Sequence, residues 1–90
     1  MKISRFEWDA RNIGHIARHR VTPDEAEEAF DNEPLFLKGR HGTRVVLGRT
    51  EAGRHLTVIY VKKPGNVVRV VTARNMDRRE RRRYHRERGK

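Results

Sequence analysis

The hydrophobic residues of this chain follow two periods, and the change between them divides the sequence. Before residue 35 they recur at helical spacing, whereas from Gly39 onward they lie in short runs rich in β-branched residues. These runs are Thr43–Arg49, His55–Lys62 and Val67–Arg74, and turns that contain glycine separate them. Connections this short join antiparallel neighbours, so the second half of the chain predicts an antiparallel sheet.

Local signals ahead of the sheet predict a short lead-in and two helices. Residues 3–8 predict a strand or extended segment, and Asp9 is a suitable N-cap for a helix from about Ala10 to His19. The second helix begins at the capping box Thr22-Pro23-Asp24-Glu25, with proline at the first helical position, and ends near Pro34.

A basic helix follows the last strand and completes the predicted fold. The order is β-α-α-β-β-β-α, with Leu35–Lys38 as a candidate extra strand. We therefore expect one α+β domain over residues 1–90, in which an antiparallel sheet packs against the two N-terminal helices.

Charge is distributed unevenly along the chain. The formal net charge is +10, which favours RNA, DNA, anionic lipid or an acidic protein as partner. Basic residues concentrate from Arg74 to the end, whereas acidic residues concentrate in the second predicted helix, at 24–33. The turns of the predicted sheet are basic as well, so if the acidic helix and the sheet lie on opposite sides, the molecule has a distinct basic face.

The composition excludes several classes of chemistry. The chain has no cysteine, so neither a disulfide framework nor thiolate chemistry is available. No apolar run approaches the length of a transmembrane helix, and the N-terminal residues lack the apolar stretch of a signal peptide. We therefore expect a cytoplasmic protein with no membrane partner.

A set of short motifs occurs in order along nearly the whole chain. The motifs are Phe6–Asp9, Asn12–His19, Val21–Ala26, Leu47–Thr50, Gly53-Arg54 and Val71–Met76, followed by Glu80 and Tyr84. Together they resemble the BrnT toxin family, which belongs with the RelE-like ribonuclease toxins of bacterial type II toxin–antitoxin pairs. The resemblance implies a compact RelE-like fold, cleavage of mRNA that is either free or associated with the ribosome, and a cognate antitoxin, typically a ribbon-helix-helix DNA-binding protein.

Enzymes of the RelE-like group are thought to use the 2′-hydroxyl of the RNA as nucleophile, so the resemblance implies neither a metal nor a cofactor. The protein then has to remove a proton, stabilise a negatively charged phosphorane and protonate the leaving 5′ oxygen. Arginine suits the second task, because its planar fork binds phosphate oxygens and stays charged.

Arg74 and Arg49 are the predicted phosphate-binding residues. Arg74 ends a core strand just before a helix, and Arg49 ends the first strand of the meander, so the two are expected to end neighbouring strands. The alternative is that both are strand-end arginines exposed to water. Arg69 has the parity of Val67 and Val71, and in a regular strand it faces away from Arg74.

His15 and His19 are the predicted general acid and base. They lie four residues apart in the first predicted helix, on the face of Asn12, and the usual histidine pKa is near neutrality. The alternative is a pair of surface histidines. Their spacing also suits a metal, but no third ligand is evident, so we predict no metal site.

The predicted nucleic-acid contacts are basic residues and one tyrosine. Tyr84 is expected either to stack on a base or to pack its ring against the sheet, and with Glu80 it is a second acid–base candidate. The basic contacts are Arg78, Arg79, Arg82, Arg83 and Lys62.

Two functions of different class fit these features. The leading hypothesis is a metal-independent endoribonuclease toxin that acts on mRNA. The alternative is a non-catalytic module on the same fold that binds nucleic acid or an antitoxin. A basic domain that docks an acidic protein is a more remote third, because a basic face serves all three.

Overall fold

The computed structural model describes residues 1–88, which form one sheet and three helices. The elements are β1 (Arg5–Glu7), α1 (Ala10–Ala17), α2 (Pro23–Glu28), β2 (Leu35–Lys38), β3 (Arg44–Arg49), β4 (His55–Lys63), β5 (Val67–Asn75) and α3 (Arg78–Arg88). The strand order is β1-β5-β4-β3-β2. The α+β class is therefore confirmed, and the candidate strand Leu35–Lys38 is present as β2.

The sheet is mixed rather than purely antiparallel. β2, β3, β4 and β5 pair antiparallel as the short turns require, but β1 pairs parallel with β5. The prediction of an antiparallel sheet is therefore wrong at this edge. Its physical reason is that most of the chain separates β1 from β5, so no short turn dictates their direction.

Capping fixes where both N-terminal helices begin. The Asp9 side chain accepts a hydrogen bond from the backbone N–H of Asn12, and the Asn12 side chain accepts one from the backbone N–H of Asp9. The predicted capping box of α2 is confirmed, because Thr22 and Glu25 bond each other in the same reciprocal way. α1 ends at Ala17 rather than His19, because the chain turns through a left-handed conformation at Arg20, with φ of 59°.

The helices cover opposite faces of the sheet. The side chains of α1 and α2 form the main core with one face, here called the α1/α2 face. Its buried residues are Ile16, Val21, Ala26, Ala29, Phe30, Val46, Leu56, Val58, Tyr60, Val68, Val70 and Ala73. The other face, here called the α3 face, forms a smaller cluster of Leu47, Met76 and Tyr84.

One β-bulge decides which side chains of β5 share the α3 face. Ile59 pairs with Thr72 and Tyr60 pairs with Val70, which leaves Val71 as an extra residue in β5. The bulge reverses the alternation, so Arg69 and Arg74 lie on the same face. The prediction that Arg69 and Arg74 lie on opposite faces assumed a regular strand and is wrong.

No helix within residues 1–88 combines the length and the apolar character needed to cross a bilayer.

Candidate functional site

A two-point ion pair joins the end of β5 to the start of α3. Arg74 donates from Nη1 to Oε1 of Glu80 at 2.7 Å and from Nη2 to Oε2 at 2.9 Å. Oε1 of Glu80 also accepts from the Thr57 hydroxyl and from the Asp77 amide, each at 2.9 Å. Burial favours the neutral form of Glu80, but these donors outweigh it and hold its pKa below the usual value.

This pairing limits how Arg74 can bind a phosphate. Both ends of its guanidinium fork already contact Glu80, and its side chain is 35% exposed. An incoming phosphate would have to share or displace that carboxylate. Arg74 therefore positions α3 on the sheet in addition to any direct contact with RNA.

Arg49 and His55 are cross-strand partners at the same end of the α3 face. Arg49 donates from Nη2 to Glu33 at 2.7 Å, in an ion pair that is largely open to solvent. Nε of Arg49 and Nε2 of His55 are buried and have no hydrogen-bond partner among residues 1–88. Because buried polar atoms are normally paired, each of these two atoms is free to bond an added group, and the Nε–H of Arg49 suits an oxygen acceptor.

Three aromatic rings meet beside Arg49. The His55 ring lies 5.6 Å from Tyr84 and 5.1 Å from His85, measured between ring centroids. Burial lowers the pKa of His55 below its usual value, and nearby positive charges lower it further. These charges belong to Arg81, His85 and Arg49. His55 is therefore neutral at pH 7, which is the form that accepts a proton.

Arg49 and Arg74 lie at one end of one face, but they are not on neighbouring strands. β4 separates β3 from β5, so two strand spacings, or about 10 Å, divide the two backbones. The prediction of neighbouring strands is wrong, because consecutive strands of a meander pair in order and Arg49 and Arg74 belong to its first and third strands.

The predicted acid–base pair is placed elsewhere. His15 belongs to α1, which packs on the α1/α2 face through Ile16, so this histidine is on the opposite side of the sheet from Arg74. His19 lies in the turn after α1, so the two histidines do not share a helical face. The carbonyl of His19 accepts from Arg54, whose Nε donates to Asn75 at the end of β5.

The predicted nucleic-acid contacts divide into three groups. The four arginines 78, 79, 82 and 83 are exposed on α3. Lys62 is exposed on β4 but pairs with Val68, which places it on the α1/α2 face. Tyr84 is 2% exposed and its hydroxyl donates to the Glu33 carbonyl at 2.9 Å. Its ring therefore packs against the sheet, and stacking on a base would require α3 to move.

Sequence reasoning missed His55, His85 and Arg81. The signal was available for His55, because a hairpin that turns at residues 50–54 pairs it with Arg49. No comparable signal existed for the two residues of α3, whose positions depend on how the helix packs across the sheet. Within residues 1–88, no group of three or more His, Asp or Glu side chains is arranged to hold a metal ion.

Comparison with known proteins identifies the family of this chain. A family model described as "Ribonuclease toxin, BrnT, of type II toxin-antitoxin system" matches residues 8–80. The matched region includes Arg49, His55, Arg74 and Glu80, whereas Tyr84 and His85 follow it. A comparison with curated proteins gives no significant match. The chain therefore belongs to the BrnT family of ribonuclease toxins of type II toxin–antitoxin systems.

Proposed function

We propose that this protein is a metal-independent endoribonuclease that cleaves mRNA through attack of the RNA 2′-hydroxyl. The observation that carries the proposal is the cluster around His55 at one end of the α3 face. A neutral, partly buried imidazole lies there among cations, and its Nε2 atom and Nε of Arg49 are buried without a hydrogen-bond partner among residues 1–88. Family membership supplies the ribonuclease activity, and this cluster supplies groups suited to the mechanism.

The proposed reaction needs one proton acceptor and one proton donor. His55 takes the proton of the 2′-hydroxyl, the 2′ oxygen bonds to phosphorus, and the bond from phosphorus to the 5′ oxygen breaks. His85 in its protonated form returns a proton to the leaving oxygen. Arg49 stabilises the charge on the phosphorane, with Arg74 as a further cation. The products are a 2′,3′-cyclic phosphate and a free 5′-hydroxyl.

The buried state of His55 sets a requirement for this mechanism. Its Nε2 atom is enclosed, so RNA reaches it only after local rearrangement around the cluster. His85 is exposed on α3 and packs on the rings of His55 and Tyr84 without a hydrogen bond within the described residues, so a rearrangement there breaks ring contacts but no hydrogen bond.

His15 and His19 stay in the proposal as the competing acid–base pair. They carry the same imidazole chemistry but approach from the α1 side of the sheet. The two pairs can be separated because each His→Gln variant removes one imidazole while it keeps a polar side chain.

The biological setting forms part of the same proposal. We place the protein in the cytoplasm, with a RelE-like topology and a cognate antitoxin of the ribbon-helix-helix type. The supporting features are the family match, the basic α3 and the absence of cysteine. The proposed substrate is mRNA, either free or associated with the ribosome.

The second candidate function is a non-catalytic nucleic-acid-binding or antitoxin-binding module. The observation in its favour is that both predicted phosphate-binding arginines already contact carboxylates. Arg49 contacts Glu33, and Arg74 contacts Glu80. Such a module would bind RNA without cleaving it.

Cleavage of a defined mRNA fragment in excess EDTA tests the proposal. The wild-type protein should cleave, and Arg49→Ala should slow the reaction by a factor of about 10²–10³, the usual effect of losing one preorganised donor. Arg11→Ala is the matched control, because Arg11 is exposed on α1 on the other side of the sheet. Full RNA binding with no cleavage in any condition would instead support the non-catalytic module.

A further inference from the structure

A groove runs between α3 and the β2–β3 hairpin, on the flank of α3 away from His55. Its volume is about 540 Å³, within the size range of protein binding pockets. Leu37, Val45 and Leu47 form its apolar lining. The charged lining consists of Arg79, Arg82, Arg83 and Arg86 together with Glu80 and Glu87.

The groove has unbalanced positive charge. Its two carboxylates are already engaged, since Glu80 contacts Arg74 and Glu87 accepts from Arg83 at 3.0 Å. Arg79 and Arg82 have no ion-pair partner among residues 1–88. An occupant with negative charge would therefore be stabilised along this wall.

The apolar lining distinguishes between two kinds of anionic occupant. Proteins that bind single-stranded RNA typically stack its bases on aromatic rings. No aromatic residue lines this groove, whose apolar side chains are leucine and valine. Aliphatic grooves of this kind receive the apolar face of an amphipathic helix, through side chains at i, i+3 or i+4, and i+7.

We infer that this groove is a docking surface for an acidic amphipathic segment of a partner protein. The apolar residues of the segment contact Leu37 and Val45, which are half-buried and pack on the buried Leu47, and its carboxylates contact Arg79 and Arg82. We identify this partner as the antitoxin because the chain belongs to a toxin–antitoxin family. The identity of the partner therefore depends on the family assignment, whereas the docking surface is inferred from its lining residues alone.

Occupancy of the groove would also affect the neighbouring site. Glu80 lines the groove and at the same time holds Arg74 through two hydrogen bonds. A segment bound there would cover the wall of α3 next to this pair. We therefore expect that docking of the partner segment also obstructs RNA at this site.

A synthetic helical peptide tests the inference in the absence of RNA cleavage. The probe carries leucines at i, i+4 and i+7, glutamates on both flanks and a fluorescent label, and its binding to the full chain is measured by anisotropy. Leu37→Ser and Arg82→Glu should each weaken peptide binding at least tenfold. Arg11→Glu, an exposed change on α1, should have no effect.

A single-stranded RNA oligonucleotide is the second probe. Leu37→Ser should leave its affinity unchanged, because RNA uses the arginines and not the leucine. If Leu37→Ser weakens the binding of RNA rather than the binding of the peptide, the groove is an RNA channel and the inference is wrong. Absence of saturable peptide binding would also overturn it.

A charge exchange keeps the test decisive if Leu37→Ser fails to fold. The variant Arg82→Glu with Arg86→Glu changes only exposed side chains of α3. This double variant should no longer bind the acidic peptide, and it should bind a peptide in which lysines replace the glutamates. Failure of this exchange contradicts the inference. Because the readout is peptide binding, its result is independent of whether the protein cleaves RNA.

Discussion

Arg74 and Glu80 are joined by two hydrogen bonds of 2.7 and 2.9 Å, which tie the end of β5 to the first turn of α3. The same carboxylate accepts from Thr57 on β4. The Glu80 side chain therefore joins α3 to two strands, β4 and β5. This arrangement makes α3, which carries much of the positive charge, a fixed part of the α3 face rather than a loose basic tail.

Loss of Glu80 should destabilise the fold. Glu80→Ala removes charge-assisted hydrogen bonds and leaves the partly buried Arg74 without its partner, so we expect the free energy of unfolding to fall by about 2 kcal/mol. Glu87→Ala is the matched control, because its i,i+4 pair with Arg83 is exposed and contributes less than about 0.5 kcal/mol. Urea denaturation measures both, and equal losses would contradict a structural role for Glu80.

The contribution of Glu80 should depend on pH in a defined direction. Its pKa is lower in the folded protein than the usual 4.5. Its stabilising effect is therefore fully present above about pH 4.5 and is lost as pH falls through the folded pKa. The difference in unfolding free energy between wild type and Glu80→Gln should be large at pH 7 and shrink in acid. If this difference in unfolding free energy stays constant as pH falls, the ionised carboxylate of Glu80 is not the source of the stabilisation.

Glycines 48 and 14 provide a contrast in packing. A Cβ at Gly48 would overlap the backbone carbonyl of Ala29, at the end of α2, so Gly48→Ala should cost about 1–3 kcal/mol or more. A Cβ at Gly14, inside α1, would meet open space, and Gly14→Ala should stabilise by up to about 1 kcal/mol. Thermal unfolding checks both. A tolerated Gly48→Ala would mean that α2 does not approach β3 this closely.

Salt dependence should reveal how RNA binds. If α3 contacts the phosphates, the logarithm of affinity for single-stranded RNA should fall with the logarithm of salt concentration, with a slope of roughly −0.7 per neutralised phosphate. Joint charge reversal at positions 78, 79, 82 and 83 should reduce this slope and weaken all RNA sequences alike. An unchanged slope in that variant would place the RNA elsewhere.

The acid–base assignment predicts that the His55→Gln variant differs from the His15→Gln and His19→Gln variants. Because the pKa of His55 is lowered, the cleavage rate should decrease on the acid side of its pH profile, below about pH 6.5, where this imidazole gains a proton. His55→Gln should remove that decrease along with most of the rate, whereas His15→Gln and His19→Gln should retain both. The opposite result would restore His15 and His19 as the acid–base pair.

Local features of the fold were predictable from the sequence, and non-local ones were not. The capping box of Thr22 and Glu25 is a local pattern, and the structure contains it as predicted. The bulge at Val71 follows from how β5 pairs with β4, and no residue in β5 marks it. That one extra residue brought Arg69 to the face of Arg74.

The candidate site shows the same division. Arg49 and Arg74 were predicted to lie at strand ends, and the structure places both on one face near one end of the sheet. His85 joins them only through the packing of α3, which is set by the burial of Tyr84 against Leu47 and Met76. Contacts between a helix and a distant strand are not encoded in local periodicity.

The 2′-hydroxyl mechanism is tested most directly by removing the nucleophile from the RNA. The cleavage position in a defined mRNA fragment is first mapped in excess EDTA, and a single 2′-deoxynucleotide is then placed on the 5′ side of that bond. We predict that cleavage at this position stops, while the all-ribose fragment yields a 2′,3′-cyclic phosphate and a 5′-hydroxyl. Continued cleavage of the 2′-deoxy substrate, or a strict need for a divalent metal, would contradict the mechanism.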